Sequence, residues 1–131
     1  MKNRLPTDLQ ILKRIYHDYY TEFINFDEKH KTRASKMYVP IDIDKLAGKF
    51  KADPDLLFGR LYYHLEKKYG YVDQEGNRVP FFSLRTGGNP HCINFAYLSS
   101  IFASLKSENT KFIIITAISV IALVISVISI L

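Results

Sequence analysis

Arg60, Tyr63, His64, Lys67 and Lys68 fall within nine residues, and at roughly 100° per residue they gather on one side of a helix. A guanidinium can donate two bonds to guanine, an imidazole contributes more weakly, and ammonium groups late in a helix suit phosphate oxygens or the negative helix end. Two further basic features could join this face. Lys29, Lys31, Arg33 and Lys36 lie in a polar stretch with no acid. Arg85 stands just before the turn Thr86-Gly87-Gly88-Asn89-Pro90. Together these side chains are equipped to hold a polyanion.

Catalytic chemistry has no comparable constellation. His17, His30, His64 and His91 are scattered without metal-ligand spacing. Cys92 follows His91, but it opens the apolar run Cys92-Ile93-Asn94-Phe95 and reads as a buried structural thiol. Gly87-Gly88 is followed by neither Lys-Ser nor Lys-Thr, so it is a turn and not a phosphate loop. A single cysteine excludes an internal disulfide and the common zinc sites, and favours a reducing compartment. The expectation is a protein that is not an enzyme and needs no metal or cofactor.

The elements that must carry the basic residues can be placed from capping and periodicity. Thr7 and Gln10 form a Thr-x-x-Gln capping box, and Leu9, Leu12, Tyr16, Tyr19 and Phe23 repeat at spacings of three and four, predicting a helix that ends near Asn25. Met37–Ile41 predicts a short strand, with Pro40 marking a sheet edge. Asp42 caps a short helix, Ile43–Phe50, with Leu46, Ala47 and Phe50 inward. Asp53-Pro54-Asp55 starts another, expected to run from Pro54 to Tyr69 and stop at Gly70. Leu57, Phe58, Leu61, Leu65 and Tyr69 form its apolar side.

Ile43, Leu46-Ala47, Phe50, Ala52, Leu57 and Leu61 occupy spacings that resemble the buried positions of the helix-turn-helix family. Lys51 departs from that pattern, since a Gly often stands where the backbone turns. Strand-like Tyr71–Asp73 and Arg78–Leu84, then Cys92–Ala96 beyond the Gly87-Gly88 turn, make the order similar to a winged helix over Leu5–Ala96. The resemblance implies an α+β fold: a helical core with a β-hairpin wing. It also implies that Arg60 and its neighbours enter a major groove while Arg85 meets the minor groove or backbone at the wing tip.

Charge sets a limit on this reading. The net +5 divides as +3 over Met1–Lys36 and +1 in each of Met37–Gly70 and Tyr71–Lys111. Asp42, Asp44, Asp53 and Asp55 lie close to the supposed recognition helix and would repel phosphate. A solvated surface, a protein partner, or anionic lipid at the basic loop remain competing explanations.

Phe112–Leu131 is of a different kind. It has no charged residue, and sixteen of its twenty residues are Phe, Ile, Ala, Val or Leu. A helix of that length is about 30 Å long, the thickness of a bilayer's hydrocarbon core. Tyr97–Glu108, with Leu98, Ile101, Phe102 and Leu105, predicts a closing helix leading to it. The sequence thus divides into a winged domain (1–96), a juxtamembrane segment (97–111) and a membrane helix (112–131). With no apolar signal core in Met1–Leu12, and Lys106 and Lys111 flanking the span, a single-pass tail anchor with a cytoplasmic domain is expected. Ser119, Ala122, Ser126 and Ser129 line one face of the span, with Ala122 and Ser126 in small-xxx-small spacing, a pattern that could support a homodimer.

Two functional expectations follow. The chain is a membrane-tethered module that binds duplex DNA or regulates a cytoplasmic protein partner. Alternatively, it is a membrane effector of the antiphage or toxin type, whose winged domain senses a protein and whose tail assembles in the bilayer.

Overall fold

The computed structural model describes residues 5–131, so the part of the signal-peptide reading that rests on 1–4 lies outside the described residues. Helix α1 spans Asp8–Ile24. Thr7 caps it, its hydroxyl accepting from the Gln10 amide at 3.2 Å while the Gln10 side chain accepts from the Thr7 amide at 2.8 Å. The apolar stripe is rotated from the expected one: Ile11, Leu12 and Ile15 are fully buried, whereas Leu9, Tyr16, Tyr19 and Phe23 sit at the margin of the core. α1 packs along the last helix of the chain, and its start is tied to the helix carrying Arg60, which turns this side of it inward.

Strand β1 (Tyr38–Pro40) is the expected edge. Helix α2 (Ile43–Phe50) follows, its Asp42 cap accepting from the Lys45 amide at 3.0 Å. Lys51 then takes the left-handed conformation, at φ 53°, that turns the chain toward the next helix. That conformation is the one in which a Gly is ordinarily found.

The helix predicted for Pro54–Tyr69 is continuous but not uniform. It consists of α3 (Pro54–Gly59), a π-helical stretch (Arg60–Leu65) and α4 (Glu66–Tyr69). Asp53 caps it, and Pro54 occupies the first turn. Leu57, Leu61 and Leu65 are buried, as the periodicity required.

The strands differ from expectation in one respect. Arg78–Leu84 is not a single strand: β2 (Tyr71–Val72) and β3 (Arg78–Val79) form a separate small hairpin, and the chain breaks at Pro80-Phe81. Proline has no amide hydrogen to donate, and the amides of Phe81 and Phe82 are taken by the Glu66 side chain, which halts the ladder. Strands β4 (Phe82–Thr86) and β5 (Asn89–Asn94) then form the wing-like hairpin, in a three-stranded antiparallel sheet of order β1-β5-β4. Thr86 pairs with Asn89, leaving Gly87-Gly88 as a two-residue turn with Gly87 at φ 60°. A Cβ at Gly87 would press on the Ala34 side chain, so the wing tip rests against the basic loop.

Phe95 and Ala96, expected to finish the last strand, instead begin α5 (Phe95–Ile130), 36 residues without interruption. The closing helix and the apolar helix are thus one rod, since Asn109-Thr110-Lys111 between them contains neither Gly nor Pro. Phe95, Leu98 and Ile101 are buried in the domain. From Phe112 onward the large apolar side chains are exposed, and the helix is long and apolar enough to cross a membrane. The architecture is α+β: a helical core, small antiparallel sheets with a wing-like hairpin, and one long apolar helix.

Candidate nucleic-acid interface

Asp8 is the residue that organises the basic face, and sequence reasoning did not include it. It stands in the first turn of α1, where the helix dipole favours an acid. Arg60 donates from Nη2 to Asp8 Oδ1 and from Nη1 to the Pro6 carbonyl at 2.7 Å. His64 Nε2 lies 2.9 Å from the other carboxylate oxygen. Burial works to raise the Asp8 carboxyl, but the hydrogen bonds and charges of His64 and Arg60 outweigh it and hold the group below the ordinary 3.8. The π-helical stretch contains both partners, so the wider turn lies where the helix closes on α1.

This clamp changes what the predicted face can offer. Arg60 is half-buried with its guanidinium engaged, and His64 is turned to the same carboxylate. Tyr63, Lys67 and Lys68 are exposed, Tyr63 at 73%. The Lys68 ammonium lies 5.3 Å from the centre of the Tyr69 ring. At the amino-terminal end of the same helix, Asp42, Asp44 and Asp55 line an open groove of about 470 Å³ with Ile41, Ile43, Pro54, Phe58 and His91. That end is therefore negative.

The basic loop is divided. Arg33, expected to grip phosphate, is instead only 7% exposed and supports the loop from inside. Its Nε donates to Ser35 O at 2.9 Å, Nη2 to Lys36 O at 3.1 Å and Nη1 to Glu22 O at 3.4 Å, with Phe26 below the guanidinium at 4.8 Å. Glu22 O belongs to the last turn of α1, whose carbonyls lack intrahelical partners. Arg33 thus fastens the loop to the helix end and spreads Lys29, Lys31 and Lys36 on the outside. Lys31 pairs with Glu28 at 3.4 Å, and Arg85, exposed on β4, donates to Gly88 O at 3.2 Å. Because Gly87 abuts Ala34, the wing and the loop form one basic end of the domain.

Glu66 is the second residue the sequence did not single out. Its Oε1 accepts from the Phe81 and Phe82 amides at 2.7 and 2.8 Å, and its Oε2 accepts from Arg78 at 2.6 Å. It ties the helix 54–69 to the sheet.

Cys92 is fully buried, and burial pushes its thiol above the ordinary range, so it is not poised as a nucleophile. Among the described residues, no three of His, Cys, Asp and Glu gather as metal ligands. In the apolar part of α5, Ser119 donates to Ile115 O and Ser129 to Ser126 O, both at 2.9 Å, so these hydroxyls are satisfied within their own helix. Ala122 and Ser126 lie on the exposed helix surface between them. No family model, curated protein or solved structure matches the chain.

Proposed function

We propose that the protein is a single-pass membrane module whose cytoplasmic, wing-bearing domain binds duplex DNA through the wing and basic loop, without base-specific reading by the helix 54–69. The observation that supports this is the position of the basic end. The Lys36 ammonium lies 5.1 Å from the Phe23 ring, Phe23 stacks on Phe95 at 4.8 Å, and the Phe95 amide donates to Met37 O at 2.8 Å. The loop therefore sits at the start of α5, seventeen residues before Phe112. Seventeen residues of helix measure about 25 Å. The headgroup layer takes up about 5–7 Å of that, and charges are screened over about 8 Å at physiological salt.

Lys29, Lys31 and Arg85 are thus too far from the bilayer to serve its lipids, and they project toward solvent. Even a helix tilted by about 40° leaves roughly 19 Å. DNA phosphates offer the polyanion that such a cluster suits, and neutralising them releases counterions. The effector alternative gains no particular support, because the hydroxyls of Ser119 and Ser129 are used inside their own helix.

The test uses the full chain in neutral phosphatidylcholine nanodiscs, with random duplex DNA over a salt series. Lys29→Ala, Lys31→Ala and Arg85→Ala combined should weaken binding and reduce the salt slope by about one unit for each phosphate left without its cation. Arg60→Ala should leave the slope unchanged. Absence of binding at low salt, from folded protein, would sink the DNA reading in favour of a protein partner.

A further inference from the structure

The helix 54–69 has an outward stripe that neither the wing nor the sheet uses. Leu56, 59% exposed, and Tyr63, 73% exposed, lie four residues before and three after Arg60, and Lys67 continues the line. Leu5, also 59% exposed, precedes the Pro6 whose carbonyl accepts from Arg60. The result is a patch of two leucines, a tyrosine and a lysine around the Asp8–Arg60 clamp.

Its direction follows from ring contacts. Phe23 meets Phe95 at 4.8 Å, while Tyr16, seven residues earlier on α1, lies between Phe95 at 5.7 Å and Phe102 at 5.3 Å, about half-way along that stretch of α5. The helices are antiparallel, and the start of α1 points along α5 toward the apolar segment. Asp8 lies eight residues beyond Tyr16, about 12 Å of helix, which brings it to within roughly 10 Å of the level of Phe112. The opposite side of the helix 54–69 faces the sheet: Phe58 packs on Phe82 and His91, and Glu66 holds the Phe81 and Phe82 amides. The stripe of Leu56, Tyr63 and Lys67 is therefore turned away from the sheet.

We infer that this stripe docks the domain on an anionic lipid surface, the headgroup layer of the same membrane that α5 spans. The inference rests on the proposed membrane span of α5. Tyrosine is suited to the interface, with its ring toward the acyl boundary and its hydroxyl in water, and lysine is suited to lipid phosphate. Lys106 and Lys111 on α5 flank the same layer. The docking also closes the helix 54–69 to duplex DNA. A gap of about 10 Å is narrower than a B-DNA major groove of about 12 Å, and a whole duplex is wider still.

The chain contains no tryptophan, so single Trp substitutions act as unique reporters. The full chain is placed in phosphatidylcholine/phosphatidylglycerol vesicles carrying nitroxide lipids, with the label on the headgroup or the acyl chain. Tyr63→Trp should lose most of its emission to headgroup nitroxide and be shielded from aqueous iodide. Leu84→Trp, on the exposed wing, should behave in the opposite way. Val120→Trp should be quenched by acyl-chain nitroxide. Quenching of Val120→Trp with Tyr63→Trp open to iodide would overturn the docking alone. An unquenched Val120→Trp would overturn the membrane reading and the docking together.

Discussion

Asp8 and Arg60, 52 residues apart in sequence, form an ion pair that closes the start of α1 onto the middle of the helix 54–69. Both side chains are mostly shielded, and His64 completes the carboxylate's coordination. The pair consumes the guanidinium that sequence spacing offers to DNA. Its primary role is to hold two helices together.

Removing the carboxylate should accordingly cost stability. Asp8→Ala leaves half-buried Arg60 with the Pro6 carbonyl but without its carboxylate acceptor, and hydrogen bonds to charged groups are worth about 1.5–3 kcal/mol. A loss of that order is expected in urea unfolding of the detergent-solubilised chain. An unchanged midpoint would show that solvent replaces the clamp.

The same pair sets an acid dependence. The Asp8 carboxyl is held below 3.8 in the folded protein, so the folded state binds fewer protons there than the unfolded chain. Its stabilisation is complete above the unfolded value and is lost as pH falls through the folded value. The stability gap between the native chain and Asp8→Asn should shrink as the pH falls below about 4. A gap that widens on acidification would contradict this sign.

Arg33 gives a prediction that separates geometry from charge. Arg33→Ala strands three carbonyls and should destabilise by about 2–3 kcal/mol. Arg33→Lys keeps the charge but cannot reach Glu22 O, Ser35 O and Lys36 O with one ammonium, so it should recover little of the loss. Thermal unfolding of both variants decides the matter; a phosphate-gripping Arg33 would instead affect DNA affinity and leave the midpoint alone.

Gly70 is required by space. A Cβ there would fall onto Glu66 Oε2 and Arg78 Nη2, with the Glu66 carbonyl 2.7 Å away. Gly70→Ala should break the Glu66–Arg78 ion pair and destabilise by about 1–3 kcal/mol. Combining it with Arg78→Ala should be markedly less than additive in a double-mutant cycle.

Lys51 should respond in the other direction. Its left-handed backbone carries a steric cost of about 1–2 kcal/mol for a residue with a Cβ. Lys51→Gly relieves that cost but loosens the unfolded chain by about 0.4–1 kcal/mol, so a net gain of about 0–1.6 kcal/mol is expected. A loss on chemical denaturation would mean that the Lys51 side chain supports the turn.

The sequence by itself determined the starts of the first three helices and the long apolar segment, though not the point at which the last helix begins. These depend on interactions over three or four residues: the Thr7–Gln10 box, the Asp42 cap, Asp53-Pro54, and the uncharged run from Phe112. Local chemistry of this kind is written in adjacent letters. The tertiary structure alone decided which cations are available and where they face. Arg60 reads as a surface charge in the sequence because its partners, Asp8 and Pro6, lie 52 and 54 residues away, and Arg33 because the helix-end carbonyl of Glu22 that anchors it lies 11 residues away, its nearer acceptors being carbonyls that any residue carries. The junction of wing and basic loop, and their distance from Phe112, likewise depend on α1 running antiparallel to α5. Such placements come from packing between distant segments, which periodicity along one segment cannot encode.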